Sequence, residues 1–235
     1  IAIPKENIPG ENRVAVNPAN VKELIKAGLS VKVESGAGIG SHIMDQNYKN
    51  AGATIVEDQA ELLQNADIVL KVNHPIENEV EMLKKNSIFV SLFQTTKETE
   101  AVQKLVSKKI TGFSMHLIPR TTLAQKMDAL SSQSNISGYK AVLTGSTHLG
   151  VYMPLLMTAA GTIPPAKVLI LGAGVAGLQA IATAKRLGAQ VEVFDVRPEV
   201  KEQVESLGAK FVEVASDTDD GVGEGGYAKE TSDEY

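Results

Sequence analysis

The sequence has 235 residues, of which 43% are hydrophobic and 22% are charged, and its mean hydropathy is −0.03. This balance is typical of a globular protein with a sizeable core, and it excludes disorder over most of the chain. The net charge of −5 argues against a nucleic-acid partner, and the absence of cysteine excludes disulfides, thiolate catalysis and cysteine-ligated metals.

Short apolar segments alternate with amphipathic segments from the first residue onward. This alternation predicts an α/β fold, in which helices cover a parallel sheet. We predict strands at Ile1–Ile3, Ser30–Glu34, Thr54–Val56, Asp67–Val72, Ser87–Leu92 and Ile110–Ser114. Helices are predicted to begin near Pro18, Asp45, Asp58, Ile76 and Lys97, several at an Asp or Pro suited to a first turn.

The pattern changes after Arg120, where one helix is predicted to run to about Leu149 and another from Val151 to Thr158. A second alternation of strands and helices then follows. Its predicted elements are Lys167–Leu171, Val175–Leu187, Gln190–Phe194, Glu199–Leu207 and Phe211–Val214. Such a βαβαβ order is half of a doubly wound nucleotide-binding domain.

We therefore predict two Rossmann-like or flavodoxin-like domains with parallel sheets, residues 1–130 and residues 131–235. The second would be a truncated doubly wound domain, because three of its six strands are missing. Residues 216–235 are rich in glycine and acidic residues, which predicts a mobile loop. Together with a first residue that is not Met, this predicts a fragment, or the ordered part, of a longer protein.

A glycine motif, Gly172-x-Gly174-x-x-Gly177, leaves the most apolar predicted strand and enters a helix at Val175 and Ala176. Its glycines suit a tight turn, a close approach of backbone to pyrophosphate, and close helix–strand packing. The unpaired N–H groups of the helix start would attract phosphates. The motif therefore predicts dinucleotide binding, and the alternative is a strand–helix turn without a ligand.

Asp195 stands at the end of the next predicted strand. A carboxylate there can accept hydrogen bonds from both hydroxyls of an adenosine ribose, which favours NAD(H) over NADP(H). Arg197 leaves this choice open, because an arginine beside the ribose can bind a 2′-phosphate. Asp195 would repel the same phosphate.

Two segments near the N-terminus resemble a family signature. They are Ile3-Pro4-Lys5-Glu6 and the segment from Glu11 to Pro18. They resemble the N-terminal signature of alanine dehydrogenases and of the NAD(H)-binding component of proton-translocating nicotinamide nucleotide transhydrogenase. The glycine motif with Gly188, Ala189 and Asp195 resembles the second signature of these proteins. The resemblance covers essentially the whole chain.

The segment from Arg120 to Ser132 is similar to the nicotinamide site of the transhydrogenase branch, and so is its continuation from Asn135 to Val142. The resemblance implies that Arg120, Gln125, Asp128 and Ser131 act at the site of hydride transfer, with Gln125 between the two nucleotides. Tyr227, within Gly225–Lys229, resembles the loop that closes over nucleotide in transhydrogenases. Without the resemblance, ordinary helix capping by Asp128 and Ser131, with Arg120 on the surface, would be the favoured interpretation.

Alanine dehydrogenases share Lys71 and Val72 but have a second lysine at the position of Asn73. They also carry a catalytic histidine where this chain has Thr95, Thr96 and Lys97. Arg13 is retained, which keeps an amino-acid dehydrogenase as the alternative enzyme. A non-catalytic NAD(H)-binding domain is a third possibility.

The resemblance implies hydride transfer from NADH to NADP⁺ held on a separate NADP(H)-binding component, coupled to proton translocation by a membrane component. Such a transfer needs no general acid or base. It further implies a homodimer, peripheral to a membrane on the cytoplasmic or organellar matrix side. The four histidines, His42, His74, His116 and His148, have no metal-ligand spacing, so we expect no metal site.

Overall fold

Six parallel strands form the sheet of the first of two units, which extends from Ile1 to Leu130. The structure is a computed structural model that describes residues 1–213. The strands are β1 Ala2–Ile3, β2 Lys32–Glu34, β3 Thr54–Val56, β4 Ile68–Leu70, β5 Ile88–Ser91 and β6 Thr111–Ser114. Their order is β3-β2-β1-β4-β5-β6, so the direction of winding reverses between β1 and β4, where doubly wound sheets open a crevice.

Five helices connect these strands. They are α1 Pro18–Lys26, α2 Asp45–Asn50, α3 Gln59–Gln64, α4 Glu77–Met82 and α5 Thr99–Ser107. Side-chain caps fix two of the predicted starts: Asn17 accepts a hydrogen bond from the Asn20 N–H, and Asp58 accepts from the N–H groups of Ala60 and Glu61. The predicted strands and helix starts of this unit are confirmed to within about two residues.

Two apolar clusters form the core of the first unit. Ala2, Val69 and Phe89 belong to one cluster, whereas Ile3 and Val33 belong to the other. Because consecutive side chains of a strand point to opposite faces, the neighbours Ala2 and Ile3 contribute to different clusters. The sheet is therefore covered on both faces, as the apolar strands require.

The second unit begins at Ser131 and contains the second parallel sheet. Its elements, after helix α6 Ala129–His148, are β7 Leu156–Thr158, β8 Gly161–Ile163, β9 Lys167–Leu171, α7 Val175–Arg186, β10 Gln190–Phe194, α8 Lys201–Ser206 and β11 Lys210–Phe211. Strands β9, β10 and β11 are parallel in the order β11-β10-β9, and Ile181 and Val193 lie in the core beside them. The α/β fold with parallel sheets is thus confirmed.

Two helix predictions are wrong. The helix predicted from Arg120 starts at Ala129, because Thr122–Met127 forms a 3₁₀ helix. The helix predicted at Val151–Thr158 is instead an antiparallel hairpin in which Leu156 pairs with Ile163. Pro154 explains this, since a proline inside a helix removes a backbone donor and clashes with the preceding turn.

Within residues 1–213, no helix is both long and apolar enough to cross a bilayer. The same stretch of the chain holds no group of three or more His, Asp or Glu side chains arranged to bind a metal ion.

Candidate dinucleotide site

The glycine loop joins β9 to α7 with the geometry that a phosphate cradle requires. Gly172 has a φ of +95°, a conformation that side chains disfavour. A Cβ on Gly177 would lie 1.8 Å from the Gly172 carbonyl oxygen, so only glycine allows the helix to start this close to the strand. A Cβ on Gly174 would meet no atom within 4 Å. Residues 1–213 therefore leave open the space that a Cβ on Gly174 would enter.

Helix α7 presents its N-terminus at this open space. Its N-cap, Gly174, has no side chain to satisfy the first N–H groups, which belong to Val175, Ala176 and Gly177. With 12 residues, the helix is long enough for its dipole to place a partial positive charge there. The loop can therefore bind an anionic diphosphate through backbone donors.

Asp195 follows β10 directly and lies against the glycine loop. One of its oxygens, Oδ2, accepts a hydrogen bond of 2.6 Å from the Ala173 N–H. Arg197 donates to the same carboxylate from its backbone N–H at 2.9 Å, its Nε at 3.0 Å and its Nη2 at 3.0 Å. Asp195 thus links the end of one strand to the loop that follows its neighbour.

Asp195 is ionised at neutral pH in spite of its position. Burial opposes its ionisation, but the hydrogen bonds from Arg197 and Ala173 together hold the pKa of the carboxyl below its ordinary value. The pKa of Arg197 is raised, chiefly by its hydrogen bond to Asp195. The charge that would face a ribose is therefore present, and Arg197 neutralises it.

The four residues predicted for the nicotinamide site lie within one short segment. Arg120 precedes the 3₁₀ helix, Gln125 lies within it, Asp128 follows it, and Ser131 is in the first turn of α6. Arg120 and Gln125 are exposed, whereas Asp128 and Ser131 are half-buried. Tyr227, the remaining predicted residue, is outside residues 1–213.

Helix α6 is fixed against the first turn of α7 by a contact that the sequence did not reveal. A Cβ on Gly138 would lie 2.0 Å from the carbonyl oxygen of Ala176, and Asn135 Nδ2 donates to Gln179 Oε1 at 3.1 Å. Ser131 lies seven residues before Gly138, which is about two helical turns. The sequence signal for this contact was a glycine inside a long helix. Glycine weakens a helix, so its presence there indicates that a neighbouring element packs closely against it.

A buried ionic cluster occupies the crevice of the first unit, where β1 and β4 end. Lys71 Nζ lies 2.7 and 2.8 Å from the two carboxylate oxygens of Glu79 and 3.8 Å from Glu6. All three side chains are at most 2% exposed. Glu6 also accepts a hydrogen bond of 2.6 Å from the Val72 N–H. Buried charged side chains therefore join the segments that follow β1 and β4, and sequence reasoning did not identify Glu79.

Arg13 is held at the edge of this cluster by Glu11. Its Nε and Nη2 donate to the two Glu11 oxygens at 2.8 and 2.6 Å, and Asn73 Nδ2 donates to Glu11 at 2.9 Å and to Glu6 at 3.2 Å. The hydrogen bond from Arg13 is the main reason that the pKa of Glu11 falls to about 2, although burial opposes this shift. The guanidinium is thus engaged by a carboxylate of its own chain.

Comparison with known proteins agrees with this architecture. Residues 2–137 match the family described as alanine dehydrogenase/PNT, N-terminal domain, and residues 141–230 match its C-terminal domain. Over its whole length the chain is 48% identical to a Rhodospirillum rubrum protein named as the first portion of NAD(P) transhydrogenase subunit alpha, and it spans 63% of that protein.

Two solved structures extend the comparison. The transhydrogenase from Sinorhizobium meliloti superimposes with a TM-score of 0.88 at 47% identity, covering 91% of this chain and 61% of that chain. An L-alanine dehydrogenase superimposes with a TM-score of 0.80 at 28% identity, covering 90% of this chain and 60% of that one. The resemblance found in the sequence is confirmed: the chain belongs to the alanine dehydrogenase/PNT family.

Proposed function

We propose that this chain is the NAD(H)-binding component of a proton-translocating nicotinamide nucleotide transhydrogenase. The geometry of the glycine loop carries the proposal. Gly172 and Gly177 set the turn, Gly174 leaves the approach open, and Asp195 places a carboxylate beside the loop. These residues fit the diphosphate and the adenosine ribose of NAD(H).

In this proposal the segment from Arg120 to Ser131 holds the nicotinamide end. NAD(H), when bound, supplies a hydride at C4 of the ring, so the protein has to orient the ring and exclude water rather than transfer a proton. Arg120, Asp128 and Ser131 offer hydrogen bonds to a carboxamide and a ribose. Gln125 both donates and accepts, and we assign it to positioning the ring relative to the second nucleotide.

The partners follow from the names of the relatives. The R. rubrum protein is named as a portion of an alpha subunit, and such a name implies further components. We assign NADP(H) to a separate NADP(H)-binding component and proton translocation to a membrane component, with this chain as a homodimer at the membrane surface. Tyr227 is assigned to a loop that closes over the nucleotide.

The arrangement around Arg13 argues against the alternative, an alanine dehydrogenase. That activity would use Arg13 and a lysine at position 73 to hold the carboxylate of an amino acid. Here Glu11 engages the guanidinium, and Asn73 donates to Glu11 and Glu6. A substrate carboxylate would be repelled by Glu11 and Glu6.

Reconstitution tests the proposal. The chain is mixed with NADH, NADP⁺ and a transhydrogenase NADP(H)-binding component, and formation of NADPH is followed. We expect NADPH only when both components are present, and no oxidation of NADH by pyruvate and ammonium. Oxidation of NADH by pyruvate and ammonium without a second dinucleotide would overturn the proposal, and NADH binding without NADPH formation would indicate a non-catalytic domain.

The Gln125→Asn variant tests the assignment of the nicotinamide segment. We expect a much larger loss in the rate of hydride transfer than in the affinity for NADH, because the shorter amide changes the position of the ring more than its binding. Equal losses in rate and affinity would contradict the role of Gln125.

A further inference from the structure

The carboxylate of Asp195 has no acceptor position left for a ribose in this structure. A carboxylate offers about four lone-pair positions. Oδ1 accepts from the Arg197 N–H and Nε, and Oδ2 accepts from the Ala173 N–H and Arg197 Nη2. A ribose hydroxyl that donates to Asp195 must therefore displace one of these four donors.

The Arg197 side chain is the donor that can be displaced. The N–H groups of Ala173 and Arg197 belong to the backbone of the two loops that follow β9 and β10, so their release would distort the site. The Arg197 side chain is 18% exposed, compared with 5% for that of Asp195, and rotations about its own bonds carry the guanidinium away. Nucleotide binding and release of this side chain are therefore coupled.

We propose that Arg197 is a specificity-determining residue that competes with the adenosine ribose for Asp195. Asp195, in turn, keeps Arg197 from acting as a ligand for a 2′-phosphate. The inference rests on the proposed function, because it requires that the glycine loop binds NAD(H).

Two consequences follow from this competition. Removing the guanidinium leaves Asp195 with acceptor positions that only water occupies, so NADH binds more tightly. Removing the carboxylate instead takes away the contact with Asp195 that holds the Arg197 guanidinium, and a guanidinium binds phosphate with paired, charge-assisted hydrogen bonds. NADPH then binds more tightly, provided that Arg197 is still present.

The experiment titrates NADH and NADPH into the purified chain by calorimetry, with wild type, Arg197→Met, Asp195→Ser and the double variant. We expect Arg197→Met to lower the Kd for NADH about fivefold, since two charge-assisted hydrogen bonds no longer have to break. Asp195→Ser should raise the Kd for NADH and lower that for NADPH about tenfold, and the double variant should lose the gain for NADPH.

Lys210→Met is the matched control, because it removes one positive charge from an exposed pair with Glu192 at a distance of 3.2 Å. We expect both affinities to stay near those of wild type. If Arg197→Met does not fold, Arg197→Lys replaces it; a lysine cannot form the paired contact, so NADH should again bind more tightly, by a smaller factor.

The outcomes separate the inference from the proposed function. If wild type binds no NADH, the proposed function fails. If wild type binds NADH but the Arg197 variants bind it equally or more weakly, or if Asp195→Ser gains NADPH affinity without needing Arg197, the inference alone is overturned.

Discussion

At the scale of single residues, the Lys71 side chain is buried together with the two carboxylates nearest to it. It is 1% exposed and is paired with Glu79, while Glu6 lies 3.8 Å away. The Coulomb attraction has to offset the desolvation of all these charges, so the cluster is weak evidence for stability. Removal of one member is costly, however, because it leaves the others buried and uncompensated.

We therefore expect Lys71→Met to lower the free energy of unfolding by about 3 kcal/mol. Urea unfolding at pH 7 measures this loss. Lys84→Met is the control, since it breaks a pair with Asp67 that is largely exposed, and we expect it to leave stability nearly unchanged. Equal losses of unfolding free energy in Lys71→Met and Lys84→Met would contradict the idea that removing a member of the buried Lys71 cluster is especially costly.

Glu11 gives a prediction for pH dependence. Its folded-state pKa of about 2 lies below its ordinary value of 4.5, so the ionised form stabilises the fold at neutral pH. This contribution is complete above about pH 4.5 and is lost as the pH falls towards 2.

Glu11→Gln should be less stable than wild type at pH 7, and the difference should narrow between pH 4.5 and 2. Urea unfolding at a series of pH values measures the difference. Glu23→Gln, at an exposed position, should show a small difference at every pH. A difference for Glu11→Gln that does not change with pH would show that Arg13 does not hold the Glu11 carboxylate.

At the scale of elements, the contact between α6 and α7 depends on Gly138. Alanine is ordinarily the better helix former by about 1 kcal/mol. At Gly138, however, its Cβ would lie 2.0 Å from the Ala176 carbonyl oxygen, so α6 would have to move away from the start of α7. Packing and helix propensity therefore oppose each other at this residue.

We expect the cost of the steric overlap to exceed the gain in helix propensity, so that Gly138→Ala destabilises the protein by about 2 kcal/mol. The control is Gly145→Ala in the same helix, where a Cβ meets no atom within 4 Å. That variant should be more stable than wild type, by up to about 1 kcal/mol. Urea unfolding compares the two variants. If both were more stable than wild type, the contact between Gly138 and Ala176 would not limit the side chain at position 138.

The elements also show what the sequence could predict. Strands and most helix starts were found because their signals are local: an apolar run, an Asn or Asp cap, or a proline in a first turn. The helix predicted at Val151–Thr158 is wrong because its apolar spacing is compatible with a helix, whereas Pro154 is not. The 3₁₀ helix at Thr122–Met127 has a composition that suits an α-helix equally well.

For the candidate site, the glycine loop and Asp195 could be predicted because strand, loop and helix follow one another in the chain. The contacts of Glu79 with Lys71 and of Gly138 with Ala176 could not be predicted, because they depend on how separate elements pack. The same reason applies to Arg197: its position next to Asp195 was evident, but the number of hydrogen bonds that it makes was not.

At the scale of the whole molecule, we expect binding of NAD(H) to raise the free energy of unfolding. A ligand that binds only the folded state stabilises it by about 2.7 kcal/mol at a concentration of one hundred times its Kd. We expect NADH to raise the midpoint of thermal unfolding in proportion to the logarithm of its concentration. Scanning calorimetry at increasing NADH concentrations measures this rise.

Gly174→Val provides the matched variant. A Cβ at this position meets no atom of residues 1–213 within 4 Å, so without nucleotide we expect only a modest loss of stability, from the poorer N-cap that valine makes. The added methyl groups would occupy the approach to the loop, and the rise in midpoint with NADH should disappear. A variant that is stabilised by NADH as much as wild type would show that the nucleotide does not bind at this loop.

The loop of this site is shaped before any nucleotide arrives. The Gly172 N–H donates to the Phe194 carbonyl at 2.7 Å, and the Ala173 N–H donates to Asp195 at 2.6 Å. The entropy needed to order these peptides is therefore lost when the domain folds, and not again at each encounter with a nucleotide. Under the proposed function the nucleotide is exchanged in every turnover, and the backbone of the glycine loop then needs no rearrangement for binding or release, so that only the Arg197 side chain has to move.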